Sequence, residues 1–73
     1  MMYLSATEKL KIIMMKRNMK QPEVATLLHV TKQNVNMKFK KDNLSENDLL
    51  EFANALDCTF DIVFTMNDTK EKI

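Results

Sequence analysis

Seventy-three residues, 45% hydrophobic and 29% charged with a net charge of +1, fit one small soluble globular domain rather than a disordered chain or a two-domain protein. No apolar run approaches the roughly 18 residues that span a bilayer, and the start MMYLSATEKLK lacks a secretory signal, so a cytoplasmic location without membrane contact is expected. One Cys and one His exclude an internal disulfide and a single-chain metal cluster, and no cofactor is expected.

Ser5 with Glu8 three residues on has the form of a capping box, and either Ser5 or Thr7 opens a first helix that turns Leu10 and Ile13 inward. Pro22 suits a first helical position, which makes Gln21 the cap of a second helix with Val24, Ala25 and Leu28 in the core. Thr31 caps a third helix from Lys32 to about Lys40. Ser45 and Asp48 mark a fourth, running to about Leu56 and burying Leu49, Phe52, Ala53 and Leu56. The chain has no glycine, yet each helix needs a tight exit. Asn18, His29 and Asp57 stand just past three helix ends, and these residue types tolerate left-handed backbone better than other non-glycine residues.

After Asp57 the period changes. Phe60, Ile62, Phe64 and Met66 alternate with Asp61, Val63 and Thr65, which predicts a strand over Thr59–Met66. Asn67-Asp68 is turn chemistry, and Glu71-Lys72-Ile73 can return as a short second strand. The expected architecture is therefore mainly α: a compact bundle of four or five short helices with a C-terminal β-strand or hairpin, all within a single domain 1–73.

Charge is divided along the chain. Positions 1–41 hold 9 basic and 2 acidic residues, a balance of +7, whereas positions 42–73 hold 2 basic and 8 acidic, a balance of −6. The positive half contains the pair of short helices joined by a three-residue turn. At about 100° per residue, Val35 and Phe39 of the third helix point together toward the core. Gln33, Met37 and Lys40 project opposite, flanked by Asn34, Asn36 and Lys41, with Lys32 at the helix start. That face has no acidic residue. Gln and Asn make paired hydrogen bonds to adenine in a major groove, Lys donates to guanine, and a Met side chain packs on a thymine methyl. Lys38, Lys40 and Lys41 suit phosphates, and Gln21 lies where a helix N-terminus favours a phosphate oxygen. The plainer alternatives are a solvated lysine-rich surface and Met37 as packing filler. His29 reads as a turn residue and Cys58 as a small buried hydrophobe.

The stretch Leu10–Leu56, roughly two thirds of the chain, resembles the lambda-repressor/Cro-like (XRE) helix-turn-helix family of bacterial and phage regulators. Leu10, Ile13, Arg17, Met19-Lys20-Gln21, Val24-Ala25, Leu28, Val30-Thr31, Gln33, Val35 and the later LLEFANALDCTF carry the likeness. The resemblance implies a non-enzymatic transcriptional regulator, expected to be a repressor, that binds double-stranded DNA. It puts a phosphate contact on Gln21, base reading on Lys32, Gln33, Asn36 and Met37, and a backbone or base contact on Asn34, with Thr31 beside them. Three departures stand out: His29 occupies the usual glycine position of the turn, Lys38 a frequent apolar one, and a strand replaces the last helix. Cro-like proteins can dimerise through such a strand, so 59–73 is expected to form a homodimer through Phe60, Ile62, Phe64 and Met66 on a two-fold-symmetric operator. The rival expectation is an antitoxin-like or anti-regulator module that uses the apolar strand to bind another protein. Whether this strand meets a partner or covers the core is open from sequence.

Overall fold

The computed structural model describes residues 4–73, so the first three positions of the expected 1–73 domain lie outside the described residues. Four helices follow one another: α1 (Ala6–Lys16), α2 (Gln21–Leu28), α3 (Lys32–Lys41) and α4 (Glu46–Ala55). Their starts are set by side chains. Ser5 Oγ accepts from Glu8 N–H at 3.2 Å while the Glu8 carboxylate accepts from Ser5 N–H at 3.4 Å. Ser45 and Asp48 repeat the box at α4, with bonds of 3.0 and 3.1 Å. Thr31 Oγ1 accepts from Asn34 N–H at 3.1 Å and opens α3. Each cap satisfies amides that the first helical turn leaves without a partner.

The start of α2 departs from expectation by one residue. Lys20 is the cap, Gln21 is already helical and Pro22 follows it. The determinant is Glu23, whose carboxylate accepts from Lys20 N–H at 3.2 Å. Half a capping box thus suffices where the cap residue itself has no acceptor.

Three exits share one device. Asn18, His29 and Asp57 have φ of 55°, 58° and 56°. At each, the residue that follows reaches back across six residues: Met19 to Met14 at 2.8 Å, Val30 to Ala25 at 3.0 Å, and Cys58 to Ala53 at 2.8 Å. Inside each lies a shorter bond, Asn18 to Met15, His29 to Thr26 and Asp57 to Asn54. This is the Schellman closure, made here without glycine. Asp42 ends α3 in the same region at φ 50°, with the single bond from its N–H to Lys38 C=O.

Helix α2 packs on both α3 and α4. Val24, Val35, Phe52 and Leu56 are fully buried, with Leu10, Met14, Ala25 and Phe39 around them. Ile13, Leu28, Leu49, Met19 and Cys58 pack at the margin. The Phe39 and Phe52 rings lie 5.3 Å apart, tilted by 33°, and fasten α3 to α4.

The expected strand over Thr59–Met66 is not formed. Among the described residues the extended segment yields one antiparallel bridge, Thr65 with Lys72. Among the described residues the return segment is 71–73, which reaches residues 64–66 and gives 59–63 no strand to pair with. The chain makes a tight hairpin instead: Phe64 and Ile73 exchange bonds of 3.0 and 2.8 Å, and Met66 N–H donates to Glu71 C=O at 2.8 Å. The arm does not cover the core, because every residue from Asp61 to Ile73 is exposed.

Candidate nucleic-acid interface

The buried pair Val35 and Phe39 fixes the rotation of α3. Their burial leaves Lys32, Gln33, Met37, Lys40 and Lys41 exposed on the outer face and Asn34 and Asn36 half-buried at its edges. Met37 is 54% exposed, which argues against a packing role within this chain. Thr31 is exposed at the head of the helix, its Oγ1 occupied as the cap. The turn ahead of α3 is the left-handed His29 followed by Val30 and Thr31. His29 adopts the conformation a glycine would supply there.

Lys38 departs from the other lysines. Its Nζ donates to Asp48 Oδ1 at 2.7 Å, and the two side chains are 35% and 19% exposed. Asp48 also accepts from Ser45 N–H, so one carboxylate caps α4 and holds the last turns of α3. The Lys38 hydrogen bond, then the Ser45 amide, lower the Asp48 carboxyl below its ordinary value. Lys38 is therefore engaged with α4, while Lys40 and Lys41 in the last turn of α3 are exposed. In the sequence Asp48 is marked only as a capping residue, because nothing in a separation of ten residues signals a pair.

Gln21 is half-buried in the first turn of α2. Pro22 offers no N–H, and the Glu23 carboxylate sits beside the Lys20 amide. Arg17 also acquires a partner that sequence did not indicate. Its guanidinium donates to Asp57 C=O at 3.1 Å, tying the end of α1 to the exit of α4.

Two short helices meeting at a left-handed turn, the second anchored inward and acid-free outward, define a helix-turn-helix unit. The Cro/C1-type HTH DNA-binding domain matches residues 9–68, and the chain belongs to that family. No curated protein and no solved structure matches it. No helix among the described residues is long and apolar enough to cross a membrane.

Of the four residues expected to dimerise, Ile62, Phe64 and Met66 are exposed. Phe60 is half-buried and lines two clefts against the helices, one with Leu10, Leu49 and Ala53, the other with Glu46, Leu50 and Ile62.

Proposed function

We propose that the protein is a sequence-specific regulator of transcription, a repressor acting in the cytoplasm as a homodimer on a two-fold-symmetric operator. The observation that carries this reading is the outer face of α3, polar and basic with no acidic residue from Lys32 to Lys41, held outward by Val35 and Phe39. In this reading α3 lies in the major groove. Lys32, Gln33, Asn36 and Met37 contact base edges, and Asn34 takes a base or a backbone oxygen. Lys40, Lys41, Gln21 and the segment at Thr31 contact phosphates, which set register without specifying sequence. A second copy covers the exposed Ile62, Phe64 and Met66, with Phe60 retained by its own protomer. Half-sites then lie about 34 Å apart, one turn of duplex.

The test is Gln33→Ala against a bound duplex and its single-base variants. Loss of about 1–3 kcal/mol with relaxed choice at one position is expected. Unchanged affinity and unchanged preference would remove α3 from the groove.

The exposed apolar arm favours one second reading, a module that binds a different protein through the same residues. A purified chain that stays monomeric until a foreign partner is added would support it.

A further inference from the structure

Helix α3 is held differently at its two ends. Its first half is set by the Thr31 cap, by the left-handed His29 in the turn from α2, and by Val35, fully buried in the cluster that holds Val24. Helix α2 approaches both α3 and α4 closely, but α3 and α4 make no comparable backbone approach among the described residues. Side chains span that gap: the Phe39 ring lies 5.3 Å from Phe52, and Lys38 Nζ donates to Asp48 Oδ1 at 2.7 Å.

The exit of α3 is also the most lightly closed of the four. The ends of α1, α2 and α4 each carry the paired bonds described above, whereas α3 ends on the bond from Asp42 N–H to Lys38 C=O at 3.2 Å. Residue 38 thus carries both this closure and the tie to α4. Asp48 suits the part of anchor. Its Oδ2 accepts from Ser45 N–H at 3.1 Å and its own N–H donates to Ser45 Oγ at 3.0 Å, while Oδ1 accepts from Lys38. The cap of α4 therefore orients the carboxylate that Lys38 meets. Burial of the two Phe rings supplies an attraction that is mostly non-directional. A charge-assisted hydrogen bond is short and has a direction.

We propose that Asp48 is a positioning residue for base reading: through Lys38 it fixes the second half of α3 so that Asn36 and Met37 meet their base edges. The inference rests on the DNA reading above and adds a determinant of specificity that lies outside the two helices of the helix-turn-helix. Lys32 and Gln33 stand on the other side of Val35, next to the cap and the turn, and do not depend on the tie. Lys40 and Lys41 end in ammonium groups on flexible stems, which reach a phosphate from more than one backbone position. An amide paired with adenine, or a Met side chain on a thymine methyl, tolerates far less displacement. The tie acts on the choice of sequence and hardly on attraction for phosphate.

Selection from random duplexes with the intact chain, Gln33→Ala, Asn36→Ala and Met37→Ala marks the base pairs that answer to each half of α3. Lys38→Met, Asp48→Asn and the double variant are then compared on single-base variants of the selected duplex, well below their melting temperatures. Asp48→Asn keeps an acceptor for Ser45 N–H. Each single variant should lose about threefold or more of its discrimination at base pairs marked by Asn36 or Met37, and keep it at those marked by Gln33. The double variant should lose no more than either single one, because all three remove the same tie. Lys38→Arg keeps the charge and offers a fork that suits a carboxylate, so it should select as the intact chain does.

Discrimination lowered alike in both halves would mark a general loosening of the fold and overturn the proposal. Unchanged preference in both halves would overturn it too, as would a motif in which no base pair answers to Asn36 or Met37. An intact chain that enriches no motif would overturn the DNA reading and this inference with it. An enriched motif indifferent to Lys38→Met and Asp48→Asn would sink this inference alone.

Discussion

Removing one lysine at a time from the last turns of α3 separates two roles that the composition of the helix conceals. Lys41 is exposed at the end of the helix, while Lys38 is bound to Asp48 at 2.7 Å. A dimer with Lys40 and Lys41 of each protomer on phosphate makes about four charged contacts, each contributing about 0.9, for a log–log salt slope of roughly −3.6. Lys41→Ala deletes one contact per protomer, so the slope should weaken by about 1.8, to roughly half its starting value. Lys38→Met should leave the slope unchanged, because its ammonium is already neutralised inside the protein.

The cost of Lys38→Met appears in stability instead. The pair is partly exposed, Asp48 still accepts from Ser45 N–H and its own N–H still donates to Ser45 Oγ, so the loss should be about 0.5–1 kcal/mol, a fall of roughly 2–8 °C in Tm for a domain of this size. Fluorescence anisotropy with a labelled duplex, titrated between about 50 and 200 mM salt, reads the slope, and thermal unfolding reads the stability. A Lys38→Met slope as weak as that of Lys41→Ala would refute the assignment of Lys38 as an internal tie.

His29→Gly should raise the urea midpoint. It relieves a left-handed strain of about 1–2 kcal/mol and gives back about 0.4–1 kcal/mol in unfolded-chain entropy, for a net gain of about 0.5–1 kcal/mol; a lower midpoint would count against the strain argument. Asp48 should contribute to the acid limb of stability. Its folded pKa is depressed, so its contribution is present above the ordinary carboxyl value near about 4 and is lost as pH falls through the lower folded value. Asp48→Asn should flatten that limb in chemical unfolding followed by circular dichroism, and an unaltered limb would show that other carboxyls govern it.

Local signals told most about the helices. Ser5, Thr31 and Ser45 announce helix starts because a cap is a contact between residues three apart. Asn18, His29 and Asp57 announce exits because the left-handed region admits few side chains. The same logic extends to Asp42 and Lys70, at φ 50° and 62°, which sequence reading passed over. Lysine at such a position has no local hydrogen bond to mark it. Val35 and Phe39 were legible from spacing, and they place the exposed residues of α3. The Lys38–Asp48 and Arg17–Asp57 contacts were not legible, since they arise only when α3 meets α4 and α1 meets the exit of α4. The alternation of Phe60–Met66 predicts a strand, but alternation describes the faces of a segment and does not supply a neighbour. With three residues returning, one bridge is what forms.

Selection of bound duplexes from a randomised DNA pool at roughly physiological salt, followed by sequencing, tests the central claim most directly. The account predicts an enriched two-fold-symmetric motif with half-sites about one helical turn apart. No enrichment, with binding that disappears at moderate salt, would contradict it and reduce the basic half of the chain to nonspecific attraction for phosphate.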